Sequence, residues 1–284
     1  MKILLGKEVC EKLHEEISRE ARSFEDAPKL LAIVVGDDPS CLCFVNSKGR
    51  KAEALGAHFE CLNLDASLSQ KEIEEEIRKT IKRLNPDGVI LERPFPKHID
   101  FTKLTELIPP CADVDCQRMD NMGRLLSGAP RHIPATAGAV LEILKFYDIH
   151  TAGKEVVVIG RSQTVGLPLS VLLLAKGKFA DATVTVCHSK TNNLEKHTRK
   201  ADILVAAVGQ PKLVSADMVS EEAVIIDVGT TYVDGKLTGD VDFDSVSKKV
   251  SAITPVPGGV GPVTTAVLLR NLINAVKYRK EQHN

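Results

Sequence analysis

The sequence predicts an α/β fold in which parallel strands are covered by helices and divided into two domains. Short apolar runs alternate with amphipathic stretches along the chain, the pattern of βα units on a parallel sheet. A glycine turn joins an apolar run to a helical one at residues 156–168. The 284 residues are also enough chain for two cores.

Val9, Leu13, Ile17 and Ala21 recur every four residues among charges, so the opening segment reads as a helix. Leu30 to Val35 is a buried-strand run ended by the turn Gly36-Asp37-Asp38-Pro39. A helix is expected from about Ser40 to Leu55, with Gly56 at its C-terminal cap. His58 to Leu62 reads as a strand, and Ser69-Gln70-Lys71-Glu72 is a capping box that opens a charged helix to Leu84. Gly88 to Leu91 is the next strand, and it runs into Glu92-Arg93-Pro94-Phe95-Pro96, where two prolines forbid further ladder pairing. In the second half, helices are expected at about Gly138–Tyr147, Gly166–Ala175 and Thr264–Glu281. Strands are expected at Val156–Ile159, Thr183–Cys187, Ile203–Val208 and Val224–Val228. No low-complexity linker marks the domain boundary, which is placed near Pro134.

Lys and Arg number 37 against 38 Asp and Glu, a net charge of -1 that gives no reason to expect nucleic acid or a membrane as partner. No apolar run is long enough to span a bilayer, and Met1 to Val9 is too short and too charged for a signal peptide. Seven cysteines without a CxxC pair read as reduced thiols in a cytosolic chain, with neither disulfide nor metal expected.

The segment from Val156 to Pro168 is strand, tight turn and helix, an arrangement that aims backbone N–H groups and a helix N-terminus at a pyrophosphate. It departs from GxGxxG, because Ser162 holds the second glycine position and Gly166 comes one residue late. An ordinary βα turn would need the same glycines. The strand Thr183–Cys187 continues into His188-Ser189-Lys190-Thr191 without an acid to bind a ribose 2′-hydroxyl. A cation and hydroxyls there, with Arg161 in reach, suit a 2′-phosphate and favour NADP over NAD. Taken alone, a solvated helix cap accounts for Ser189 and Lys190 equally well.

Asp37-Asp38-Pro39-Ser40 with Phe44-Val45-Asn46-Ser47-Lys48, the Gly160 turn, and the long run from Thr254 to Pro262 resemble methylenetetrahydrofolate dehydrogenase/cyclohydrolase, the FolD family. Asp227-Val228-Gly229, Asp113-Val114-Asp115 and Asn121-Met122-Gly123-Arg124-Leu125 match further family blocks, so the resemblance covers essentially the whole chain. It implies two α/β domains flanking a cleft: a folate-binding catalytic domain at 1–134 plus the C-terminal helix 263–284, and a Rossmann-like NADP domain at 135–262. It also implies a cytoplasmic homodimer in one-carbon metabolism and purine biosynthesis. The chain's end at Asn284 leaves no synthetase domain to be expected.

By the same resemblance, Lys48 is the catalytic lysine, with Phe44 one helical turn before it; position alone would make Lys48 one of many helix-surface lysines. Asp115 is the acid that grips the pterin's N–H donors, although a turn-forming aspartate is the plainer reading of that residue. Gly261 and Pro262 line the folate site, and Thr136, Thr230 and Thr264 fall near the nicotinamide beside Gly160, Arg161, Ser162, Ser189 and Lys190. Four departures stand out. Phe44 replaces a tyrosine, Glu92 the glutamine that supports the lysine, and Cys116 the glycine after the pterin acid, while Ala135 and Ala137 flank Thr136 where Cys or Ser and Pro are usual. An ion pair between Glu92 and Lys48 would hold the lysine protonated and weaken it as a base for hydrolysis; alternatively Glu92 is itself the base, or stabilises the methenyl cation. The expected activity is an NADP-dependent dehydrogenase and cyclohydrolase. The alternatives are a monofunctional dehydrogenase and a non-catalytic dinucleotide-binding regulator.

Overall fold

The structure, a computed structural model, describes residues 1–283; Asn284, the last residue of the expected C-terminal segment, lies outside the described residues. The chain divides into two compact units, one of residues 13–135 with 268–284 and the other of residues 1–12 with 136–267. They are called here the Lys48 unit and the Gly160 unit.

Three parallel strands centre the Lys48 unit: β2 (Lys29–Val35), β3 (His58–Leu64) and β4 (Gly88–Leu91), in the order β3-β2-β4. Ile33 pairs with Leu62 on one side and Leu91 on the other. Because strand residues alternate between faces, Leu31, Ile33, Val89 and Leu91 pack with Ile73, Ile77 and Leu84 of helix α3 (Gln70–Leu84). Ala32 and Val34 face the other way, onto Cys41 and Val45 of helix α2 (Pro39–Ala54). The capping box at Ser69 forms as expected, with Ser69 and Glu72 exchanging hydrogen bonds at the start of α3. Helices α1 (Gly6–Ala21), α4 (Phe101–Thr105) and α5 (Met119–Leu126) complete the first stretch of chain.

The Gly160 unit carries six parallel strands: β1 (Lys2–Ile3), β5 (Glu155–Ile159), β6 (Thr183–Cys187), β7 (Ile203–Ala206), β8 (Val224–Asp227) and β11 (Ala252–Ile253). Their order is β1-β11-β8-β7-β5-β6. The chain leaves β5 for β6 on one side and returns to β7 on the other. The winding therefore reverses at β5, and ligands of open α/β sheets bind outside the carboxyl ends of the strands at such a point. Helices α6 (Ala135–Phe146), α7 (Gly166–Leu174), α8 (Leu194–Thr198) and α9 (Phe243–Val246) and the hairpin β9 (Thr231–Val233) with β10 (Lys236–Thr238) fill the connections. Helix α10 (Val260–His283) begins in this unit and passes into the Lys48 unit at Leu268.

Two boundaries differ from the expected division. Residues 1–12 belong with the Gly160 unit instead of opening the first domain, because β1 adds to the sheet edge through Lys2↔Ala252 and Ile3↔Ile253. The first two turns of α10 also stay with the Gly160 unit, so the division falls after Val267 and not after Pro262. No helix among the described residues is long and apolar enough to cross a membrane.

Candidate active site and dinucleotide site

Helix α2 opens on Asp38, whose carboxylate accepts the Cys41 N–H at 2.7 Å, with Pro39 in the first turn. Cys41 and Val45 fix its inner face on the sheet, and Lys48 lies one turn further along that face. The face alternation that sends Leu91 toward α3 sends the next residue, Glu92, toward α2. The Glu92 N–H donates to the Ile33 carbonyl at 2.9 Å, which extends the ladder by one residue. Lys48 Nζ donates to Glu92 Oε1 at 2.5 Å, with the two side chains 21% and 11% exposed. The ion pair expected from the departure at position 92 is therefore formed, and it is largely withdrawn from solvent. Phe44 presents its ring to solvent one turn before Lys48.

Asp115 lies in the turn between the short 3-10 segment Pro110–Ala112 and α5. Its Oδ1 accepts the Ala135 N–H at 2.9 Å. Desolvation by the surrounding chain pushes its carboxyl up to about 6; the Ala135 N–H and the Lys48 charge oppose the rise, and the charges of Glu92 and Asp113 add to it. Asp115, Lys48 and Glu92 thus share one electrostatic neighbourhood. Cys116, in the family's glycine position, takes a left-handed backbone (φ 52°) and is buried, with its thiol donating to the His132 carbonyl at 2.8 Å. Burial raises that thiol far above its ordinary value.

Sequence reasoning missed how this turn is held. The carboxylate of Asp113, fully buried, accepts the N–H groups of Gln117 and Arg118 at 2.8 and 2.9 Å and the Asn121 amide at 2.8 Å. The Gln117 carboxamide bonds both backbone groups of Leu91. The Asp113…Asn121 spacing was visible as a family block, but no local pattern marks Gln117.

In the Gly160 unit, β5 and β6 pair through Ile159↔Cys187, which brings the turn after each strand side by side. Gly160 has φ 118°, and a side chain there would run into the Ala207 carbonyl; one at Gly166 would run into the Gly160 carbonyl. Both glycines are thus required by the close packing of the turn, and the Val165 cap of α7 offers no capping side chain to the first turn. Ser162 Oγ accepts the Val165 N–H at 3.1 Å, and Arg161 is exposed beside it. Ser189 and Lys190 sit exposed in a turn closed by His188 and Thr191, where the His188 N–H donates to Thr191 Oγ1 at 2.9 Å. They are not a helix cap, since α8 starts only at Leu194.

Beyond β8, two carboxylates interlock. Asp227 accepts the N–H groups of Asp240 and Val241, each at 3.0 Å, and Asp240 accepts those of Val208, Gly209 and Gln210 at 2.6, 3.1 and 2.7 Å. A side chain at Gly229 would fall on the Asp240 carboxyl, and one at Gly239 on that of Asp227. Burial pushes Asp227 up to about 7; its backbone hydrogen bonds oppose this and the Asp240 charge adds to it. The pair fixes the backbone after β7, at the carboxyl ends of the strands. Of the remaining expected residues, Thr230 is exposed just past β8, and Thr136, Pro262 and Thr264 are half-buried in first turns of α6 and α10. Gly261 and Pro262, expected against folate, belong to the Gly160 unit, whereas Lys48, Glu92, Asp115 and Phe44 belong to the other.

Residues 4–115 match the catalytic domain of tetrahydrofolate dehydrogenase/cyclohydrolase, and residues 134–280 match the NAD(P)-binding domain of the same family. A protein of Nitratiruptor sp. named bifunctional protein FolD is 46% identical over 284 residues, covering 99% of each chain. Among solved structures, a 5,10-methylenetetrahydrofolate dehydrogenase from the silkworm Bombyx mori aligns with TM-score 0.93 and 38% identity over 99% of each chain. The Trypanosoma brucei dehydrogenase-cyclohydrolase, solved with NADP cofactor and inhibitor, aligns with TM-score 0.91 and 35% identity over 98% of each. With both halves matched in order and relatives of such identity along its whole length, this chain belongs to the tetrahydrofolate dehydrogenase/cyclohydrolase family.

Proposed function

We propose that the chain oxidises 5,10-methylenetetrahydrofolate with NADP and hydrolyses the resulting methenyl compound to 10-formyltetrahydrofolate. The observation that carries the reading is the Lys48–Glu92 contact, a proton-bearing pair shielded from solvent beside Asp115. NADP, when bound, supplies the hydride acceptor. Gly160, Arg161 and Ser162 would hold its phosphates at the first turn, Ser189 and Lys190 its 2′-phosphate, and Thr136, Thr230 and Thr264 its nicotinamide side.

Hydride loss needs no protein base, because the lone pairs of the two folate nitrogens stabilise the methenyl cation. The protein's part in that step is orientation: the Asp115 carboxylate accepts the pterin's N–H donors and Phe44 offers a ring for stacking. Water addition does need a proton relay. A C–O bond forms at the cationic carbon and the water gives a proton to the Lys48–Glu92 pair; that proton passes to folate N5 as the C–N5 bond opens, and the remaining hydroxyl proton leaves to solvent as the formyl C=O forms. The lysine and carboxylate act as one unit, with Nζ donating to Oε1 at 2.5 Å.

The cytoplasm fits free thiols, since the seven cysteines carry no disulfide among the described residues. A homodimer joined through the Gly160 unit fits its exposed Leu5, Tyr232 and Val233, apolar surface that a partner copy would cover. The purified chain with methylenetetrahydrofolate and NADP should accumulate reduced cofactor, while methenyl absorbance rises and then decays faster than in buffer. A methenyl signal that persists would leave a monofunctional dehydrogenase, and no cofactor reduction would leave the regulator.

A further inference from the structure

Strand β4 ends the sheet of the Lys48 unit, bonded to β2 on one side with no fourth strand on the other among the described residues. Its free side is closed by the Asp113–Arg118 turn in two places. Val89 makes an isolated parallel bridge with Asp113, and at Leu91 a side chain takes the place of a strand. Gln117 Oε1 accepts the Leu91 N–H at 3.0 Å, and Gln117 Nε2 donates to the Leu91 carbonyl at 2.9 Å. A carboxamide carries one acceptor and one donor side by side, as a peptide group does, so it completes the ladder where Leu91 is buried and water cannot. The next residue along β4 is Glu92.

We infer that Gln117 is a positioning residue for the Lys48–Glu92 pair. It clamps the last peptide of β4, so that Glu92 leaves the strand in the orientation that places Oε1 against Lys48 Nζ. The clamp is itself anchored: the Gln117 N–H donates to Asp113 Oδ1, and Asp113 also holds Arg118 and Asn121. Asp115 lies within the same turn, so one short segment sets the acid assigned to the pterin and the carboxylate assigned to the proton relay in a fixed register. The inference rests on the assignment of Lys48 and Glu92 to water addition.

Gln117→Met keeps length and apolar volume while deleting both hydrogen bonds. Water addition, assayed from methenyltetrahydrofolate, should fall about tenfold or more in kcat, the scale on which small displacements of a reacting group act. Hydride transfer should fall no more than about threefold, and KM for the folate should hold within about twofold. Gln117→Glu adds a rescue: a protonated carboxyl donates and accepts as the amide does, whereas the ionised form only accepts. Its water-addition rate relative to the parent should therefore recover as pH is lowered, which a simple loss of stability would not produce. Lys48→Met run in parallel separates the two failures. If it leaves water addition intact, the underlying assignment falls and takes this inference with it. If it abolishes water addition while Gln117→Met stays within about twofold of the parent, or loses both steps equally, Gln117 does not position the pair. Should Gln117→Met fail to fold, the pH rescue of Gln117→Glu decides, and its absence overturns the inference.

Discussion

Lys48 and Glu92 meet at 2.5 Å, and the role proposed for them in water addition turns on what that contact does with a proton. Lys48→Met removes the amine while keeping a side chain of similar length. It should nearly abolish methenyl hydrolysis and leave hydride transfer measurable, as stopped-flow traces of the two signals would show; a parallel collapse of both steps at unchanged folate affinity would remove the lysine from its assigned role. Glu92→Gln is almost isosteric and replaces the acceptor charge with a neutral amide. If the carboxylate merely restrains the lysine, hydrolysis at neutral pH speeds up and the basic limb of its pH profile moves down. If hydrolysis is lost instead, Glu92 is the working base. Lys48 and Asp115 were singled out because a motif carries them, and the Lys48–Glu92 contact, which the structure forms, was expected from one departure from the family pattern. Gln117 was not legible, since a carboxamide completing a strand edge depends on two segments that meet only in the folded chain.

Among the elements, the sequence was readable where an element is long or punctuated: the capping box at Ser69 and the run Gly88–Leu91 stand where they were expected. Strands β1 and β11, of two residues each, carry no period to read and exist only because neighbouring strands recruit them. The linked carboxylates after β8 were equally hidden, since Asp227 and Asp240 are joined through the backbone of the loops they hold. That linkage has a pH signature. Asp227 titrates near 7 in the folded chain against 3.8 for an ordinary aspartate, so the folded state binds the proton more tightly. Between those values the native state carries more protons than the unfolded one, and stability falls as pH rises from about 4 to about 7 and then levels off. The slope from this one group approaches about 1.4 kcal/mol per pH unit. Asp227→Asn, which cannot ionise, should flatten it in urea titrations followed across that range, and an unchanged slope would assign the proton to another group.

At the scale of the whole molecule, the residues proposed for the two kinds of chemistry lie in different stretches of chain. Residues 13–135 with 268–284 hold Lys48, Glu92 and Asp115, and residues 1–12 with 136–267 hold the Gly160 turn and the Ser189–Lys190 turn. The division was legible to within a few residues in the middle of the chain, where Pro134 precedes α6. It was not legible at the N-terminus, because the placement of residues 1–12 is decided by the pairing of β1 with β11. Cofactor choice and hydrolysis are proposed to draw on different residues, so the two should be separable by mutation. Ile159↔Cys187 pairing sets the turn that holds Arg161 next to the turn that holds Ser189 and Lys190, and no carboxylate ends β6 to bind a ribose 2′-hydroxyl. NADP should therefore be preferred over NAD by at least tenfold in kcat/KM, about 1.4 kcal/mol or more. Arg161→Ser combined with Lys190→Ser should bring the two cofactors toward parity, chiefly by raising KM for NADP, because both charges act on a phosphate that lies away from the reacting carbon. Hydrolysis assayed from methenyltetrahydrofolate should stay within about twofold of the parent in that double variant. Parity already present in the parent would mean that the two cations are only solvated surface, and a matching loss of hydrolysis would mean that the two stretches do not act independently.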